Sequence, residues 1–76
     1  MEDFDKVLIK ELGKRIAFYR KEKGLTQAHL SDFAEMEESA VRRIELGKTN
    51  PTFKTLLRIS RGLEVPLKEL VDLPMS

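Results

Sequence analysis

Apolar residues recur at helical spacing along the whole chain, and no run alternates with period two for long enough to make a strand. That pattern commits the sequence to an all-α fold, and the punctuation between apolar stripes divides it into five helices. The first runs from Asp3 or Asp5 to Lys23, with acids in its first turn, bases in its last, Gly24 placed as a C′ glycine, and Leu12, Ile16 and Tyr19 as its inward stripe. Thr26 is a good N-cap for a second helix that points Leu30, Phe33 and Ala34 inward and stops near Glu35. A third covers Glu38 to Leu46, buries Val41 and Ile44, and ends at Gly47. The Asn50-Pro51 break precedes a fourth, which starts at Thr52 and places Phe53, Leu56, Leu57 and Ile59 on its core side. Pro66 suits the first turn of a short fifth helix holding Leu67, Leu70 and Val71. Five short helices joined by tight turns make a compact all-α bundle.

With 76 residues there is room for one domain, spanning positions 1–76. A chain of this size buries only about 60% of the surface its unfolded form exposes. It has no cysteine, so neither a disulfide nor a thiolate metal site supplements the core, and a cytosolic setting is compatible. The N-terminus is acidic where a signal peptide is basic, and no stretch approaches the roughly 20 apolar residues of a membrane span, so a cytoplasmic protein without membrane contact is expected. The formal net charge is +1, but the charges are unevenly placed. Lys14, Arg15, Arg20, Lys21 and Lys23 face Glu22 alone in their segment, whereas Asp32, Glu35, Glu37 and Glu38 form an acidic stretch. Locally basic faces bind phosphate despite a near-neutral total, because the Debye length is only about 8 Å at physiological salt.

About three residues, Glu35 to Glu37, join the second and third helices. Two short helices across so tight a turn match helix-turn-helix geometry, in which the second helix lies in the major groove of double-stranded DNA and the first crosses the phosphate backbone.

Residues distributed over most of the chain strengthen that expectation. Leu12-Gly13, Ile16, Arg20, the Lys23-Gly24-Leu25-Thr26-Gln27 turn, Leu30, Ala34, Val41, Ile44-Glu45, Gly47-Lys48, Asn50-Pro51, Leu56-Leu57 and Leu63 follow in order. Taken together, the sequence resembles the phage-repressor and Cro-type helix-turn-helix family, often called XRE-like. The resemblance covers a core of residues 12–70, leaving an N-terminal helix extension, 1–11, and a short tail, 71–76. It implies a transcriptional regulator, with base-reading residues at Glu38, Ser39 and Arg43 and Ala40 on their flank. Arg43 has the fork geometry to grip guanine O6 and N7, Ser39 donates or accepts, and Ala40 suits a thymine methyl. Glu38 either accepts from cytosine N4 or, like Glu37, is a first-turn acid that supports the helix dipole. The resemblance also implies phosphate contacts from Gln27 at a helix N-terminus, secondarily from Thr26, and from Lys48, Thr49 and Asn50 in the following loop. Arg42, about 100° around the helix from Arg43, is better placed for phosphate than for bases. Glu45 is expected to pair with Arg20 and pin the first helix to the third.

Several positions depart from the family pattern. Glu35 stands where relatives use Gly for a turn needing positive φ, and Glu64 where they tend to have Gly or Asn at a helix end, while Gly62 falls inside the fourth helix. Ala17 and Phe18 replace residues that are normally polar. His29 occupies the place where a Glu often completes a capping box, and it has no second His or Cys for a metal site, so an exposed histidine is expected.

The resulting expectation is a repressor that occupies an operator as a homodimer. Val71, Leu73 and Met75 are the candidate dimer surface, with Phe4, Val7 and Leu8 as a rival; the tail residues are equally readable as the last piece of core. A different class of function, a protein-interaction module such as an antitoxin or adaptor, would explain Glu35, Glu37 and Glu38. No catalytic residues, cofactor, metal or small-molecule ligand are expected, because no nucleophile–base pair or ligand cluster stands out.

Overall fold

A computed structural model describes residues 3–74. Its helices are α1 (Asp3–Glu22), α2 (Gln27–Phe33), α3 (Glu38–Glu45), α4 (Phe53–Leu63) and α5 (Leu67–Leu70), and there is no strand among the described residues. The tail position Met75 lies outside them.

Local chemistry accounts for most of the boundaries. Asp3 and Asp5 in the first turn of α1, with Arg20 and Lys21 in its last, complement the helix dipole. Thr26 caps α2 by accepting from the His29 backbone N–H at 3.0 Å, and the His29 Nδ1 accepts from the Thr26 N–H at 3.2 Å. An exposed histidine therefore completes the capping box that a Glu would ordinarily close. Thr52 caps α4 in the same manner, through the Thr55 N–H at 3.1 Å. Glu37 sits at the N-cap of α3 without a side-chain cap bond, consistent with its poor standing as a capping residue. Pro66 takes the N-cap position of α5, one residue earlier than the first-turn place expected for it.

The core is built from one stripe on each helix: Leu12 and Ile16 of α1, Leu30 and Ala34 at the end of α2, Val41 and Ile44 of α3, Ile59 and Leu63 of α4, then Val65 and Leu70. Tyr19, Leu25, Met36, Leu56, Leu67 and Leu73 pack around it. Two expected core residues are instead on the surface. Phe33 is 60% exposed and Phe53 66%. In α2 the inward direction is taken by Leu30 and Ala34; the Phe33 Cβ lies over Gly62, which has no side chain to cover the ring. Phe53 is the first residue of α4, about one turn before Leu56 and nearly two before Ile59 reach the core. Leu57 is half-buried, and Val71, expected within α5, is exposed at its C-cap.

Helix α3 packs against both α1 and α2, and α4 packs against α2. The approach of α1 to α3 is close enough to dictate a residue type. A Cβ added at Gly13 would stand 2.3 Å from the Ile44 carbonyl oxygen and 2.7 Å from that of Glu45.

Candidate nucleic-acid interface

The link between α2 and α3 occupies residues 34–37. It closes with the Met36 N–H donating to the Ser31 carbonyl at 2.9 Å, and it bends through Glu35 at φ 56°. Glu35 thus adopts the left-handed conformation that its family position demands, without the glycine that makes it easy. Glu64 does the same at the end of α4, with φ 57°. Met36 tucks against the core, which fixes the course of the turn.

With Val41 and Ile44 buried, α3 turns Glu38, Ser39, Arg42 and Arg43 to solvent and leaves Ala40 half-buried. The helix is anchored from behind. Arg20 Nε donates to Glu45 Oε2 at 2.7 Å and Nη2 to Oε1 at 3.1 Å, while Nη1 donates to the Leu25 carbonyl at 2.8 Å. The two side chains are only 11% and 6% exposed. The pair expected from sequence is therefore present, and it is bidentate, the geometry in which guanidinium and carboxylate bind best.

Gln27 joins this network, donating from Nε2 to Glu45 Oε1 at 3.0 Å. One end of its amide is thus committed to the protein, and the start of α2 is tied to the end of α3. Thr26 is exposed, with its hydroxyl occupied as a cap.

The expected phosphate contacts other than Thr26 fall into two separate grooves. Gln27 and Arg42 line one, together with Lys14 and Lys21 on the outer face of α1. Lys48, Thr49 and Asn50 border the other, on the far side of Gly47. Gly47 has φ 74°, and the Lys48 N–H returns to the Arg43 carbonyl at 2.9 Å, so the loop is held against the end of α3. Arg43 lines neither groove and stands on the open face of the helix. Lys14 and Lys21 belong to the basic segment noted in the sequence; that they share a groove with Arg42 depends on how α1 lies across α3.

Among the described residues no cluster of His, Cys, Asp or Glu could hold a metal ion, and no helix is long and apolar enough to cross a membrane. At the tail, Leu73 is half-buried against the core, whereas Val71 is 41% exposed.

Two short helices about a tight turn, the second with a polar exposed face and a buried anchor, define a helix-turn-helix protein. A family model described as helix-turn-helix matches residues 16–70, and the chain belongs to that family. Among curated relatives, it is 37% identical over 62 residues to the HTH-type transcriptional regulator SinR of Bacillus subtilis, covering 80% of this chain and 56% of SinR. It is 36% identical over 62 residues to the uncharacterized HTH-type transcriptional regulator y4dJ of Sinorhizobium fredii, covering 82% of this chain and 80% of y4dJ. The chain thus spans little more than half of SinR but most of y4dJ. Among solved structures, the restriction-modification controller protein C.AhdI from Aeromonas hydrophila superposes with a TM-score of 0.81 at 27% identity, covering 82% of this chain and 94% of that one.

Proposed function

We propose that this chain is a sequence-specific DNA-binding transcriptional regulator that acts in the cytoplasm as a repressor by occupying an operator. The observation that carries this reading is the exposed face of α3, with Ser39 and Arg43 free of the core and the helix fixed from behind by Arg20 and Glu45. A recognition helix held rigidly avoids ordering costs on binding. The names of SinR and y4dJ as transcriptional regulators support the same function.

In this reading α3 enters the major groove and Arg43 reads a guanine, with Ser39, Ala40 and Glu38 alongside. Arg42, Gln27 and Thr26 approach phosphates on one side, and Lys48, Thr49 and Asn50 on the other. A domain of this size contacts few base pairs, so two copies bind half-sites about 34 Å apart. Val71 is the exposed apolar residue at the described end of the proposed dimer surface, with Leu73 beside it and Met75 beyond.

The test is selection of bound duplex from a random pool, repeated with Arg43→Ala. Loss of preference at one base step, worth about 1–3 kcal/mol, with little change in non-specific affinity is expected. Uniform weakening would reassign Arg43 to a phosphate. A second reading, a protein-interaction module of the same fold such as an antitoxin or adaptor, draws on the exposed acids Asp32, Glu35, Glu37 and Glu38. Absence of any DNA binding at low salt would favour it over the first.

A further inference from the structure

The second groove contains residues that the family core does not include. Lys6 and Lys10, one turn apart on α1, line it opposite Lys48, Thr49 and Asn50. Both lysines precede the residues that the family model matches, in the part of α1 that extends it to a 20-residue helix. Their placement is fixed by packing: a Cβ at Gly47 would lie 2.6 Å from the Lys10 Cγ and 2.9 Å from its Cα, so the backbone of α1 runs directly over the exit from α3. Lys6, Lys10 and Lys48 are all exposed, and among the described residues none of them is in a salt bridge.

The nearby acids do not cancel these charges. Glu11 is engaged with Lys14 at 3.6 Å, and Asp5 lines a smaller adjoining recess beside Asn50. Neither lines the groove itself. Val7 and Ile9 give the groove a largely apolar lining beside the polar Thr49 and Asn50, and it is the three ammonium groups around it that suit a run of phosphates. Lys6 and Lys10 are separated by about 6 Å along the helix, so they would meet successive positions along a strand rather than one charge.

Resting on the proposed DNA binding, we infer that the N-terminal extension of α1 is part of the DNA-contacting surface. Lys6 and Lys10 continue the phosphate contacts of the 48–50 loop onto duplex lying beyond the bases that α3 reads. The extension thereby lengthens the footprint without adding base specificity, because phosphate contacts position a protein but carry no sequence information.

The experiment uses a duplex selected from a random pool by the wild-type chain, with affinity measured across a salt series. Each phosphate neutralised contributes about −0.9 to the slope of log affinity against log salt, so the Lys6→Gln/Lys10→Gln variant should lose about 1.8 units of slope per bound copy, about 3.6 for two copies on an operator. Its hydroxyl-radical footprint should contract at the same place in each half-site while the preferred sequence is unchanged. The Lys6→Arg/Lys10→Arg variant should keep both slope and footprint, and Lys68→Gln on α5 controls for general loss of charge. Circular dichroism establishes that each variant is folded. An unchanged slope and footprint in the glutamine variant, or a change no larger than that of Lys68→Gln, overturns the inference while leaving DNA binding intact. Failure of the wild-type chain to select any duplex defeats DNA binding itself, and the role of the extension with it.

Discussion

Replacing Glu45 by Ala removes the acceptor of three hydrogen bonds, two from Arg20 at 2.7 and 3.1 Å and one from Gln27 at 3.0 Å. The Arg20 side chain, only 11% exposed in the intact pair, is then left with only the Leu25 carbonyl, at 2.8 Å, as a partner. Breaking a buried pair by deleting one member costs about 3–5 kcal/mol, and the residual exposure of Arg20 places this case at the lower end, about 3 kcal/mol. At about 0.05–0.15 kcal/mol per residue, a chain of this length has roughly 4–11 kcal/mol in total, so the variant loses between about a quarter and three quarters of it. The melting temperature should fall by about 12–24 °C. Removing both charges, as Arg20→Leu/Glu45→Leu, should cost less than Arg20→Leu or Glu45→Leu alone, which makes the coupling at least as large as the costlier single change, about 3 kcal/mol. Urea denaturation followed by far-ultraviolet circular dichroism measures all corners of the cycle. Coupling below about 0.5 kcal/mol would show that the pair behaves like a surface ion pair and refute its role as an anchor.

Glu35→Gly should raise the denaturation midpoint, since relief of a left-handed glutamate, about 1–2 kcal/mol, exceeds the roughly 0.5–1 kcal/mol of added unfolded-state entropy; an unchanged or lowered midpoint would mean that the φ of 56° carries no strain. Gly13→Ala should destabilise by about 2 kcal/mol even after a gain of about 1 kcal/mol in helix propensity, because its Cβ meets backbone oxygens that cannot swing away. Stabilisation would instead show that α1 can move off α3. Phe33→Ser and Phe53→Ser should each change stability by no more than about 0.5 kcal/mol, whereas Leu30→Ala should cost about 2–5 kcal/mol. A larger, concentration-dependent loss at either Phe would reveal a second chain covering it. Glu38→Gln should raise affinity for random duplex while weakening discrimination at one C·G pair by about 1–3 kcal/mol; a uniform rise at every sequence would make Glu38 a dipole acid only.

The helices were legible because their ends are written in short-range chemistry: Thr26 and Thr52 as caps, Gly47 at a left-handed exit, apolar stripes at period 3.6. The Arg20–Glu45 pair was legible only through the family resemblance, since the partners are 25 positions apart. Phe33 and Phe53 were misplaced because periodicity gives the direction of a side chain and not what lies opposite it. For Phe33 that neighbour is Gly62, and for Phe53 the core has not yet begun. Likewise, the commitment of the Gln27 amide to Glu45 is a tertiary contact with no local signature. Lys6 and Lys10 looked like ordinary helix lysines in sequence; only the passage of α1 over Gly47 brings them beside Lys48.

The charges on α3 serve stability and recognition unequally. Glu38 in the first turn and Arg42 and Arg43 in the last are ordered as the helix dipole prefers, each worth about 0.3–1 kcal/mol to the isolated helix. A helix whose N-terminus enters the major groove meets phosphates on both sides, where that same Glu38 is repelled. The repulsion weakens every DNA complex alike, whereas a hydrogen bond to cytosine N4 strengthens only one, so the acid lowers affinity and widens the gap between right and wrong sequences. A recognition helix that gives up attraction at its tip needs compensation elsewhere. In the proposed complex the surrounding cations would supply it: Lys14, Lys21 and Arg42 along one groove, and Lys6, Lys10 and Lys48 along the other. On this proposed division of labour, affinity would come from the flanks, and Glu38 would add to the selectivity that Arg43 supplies.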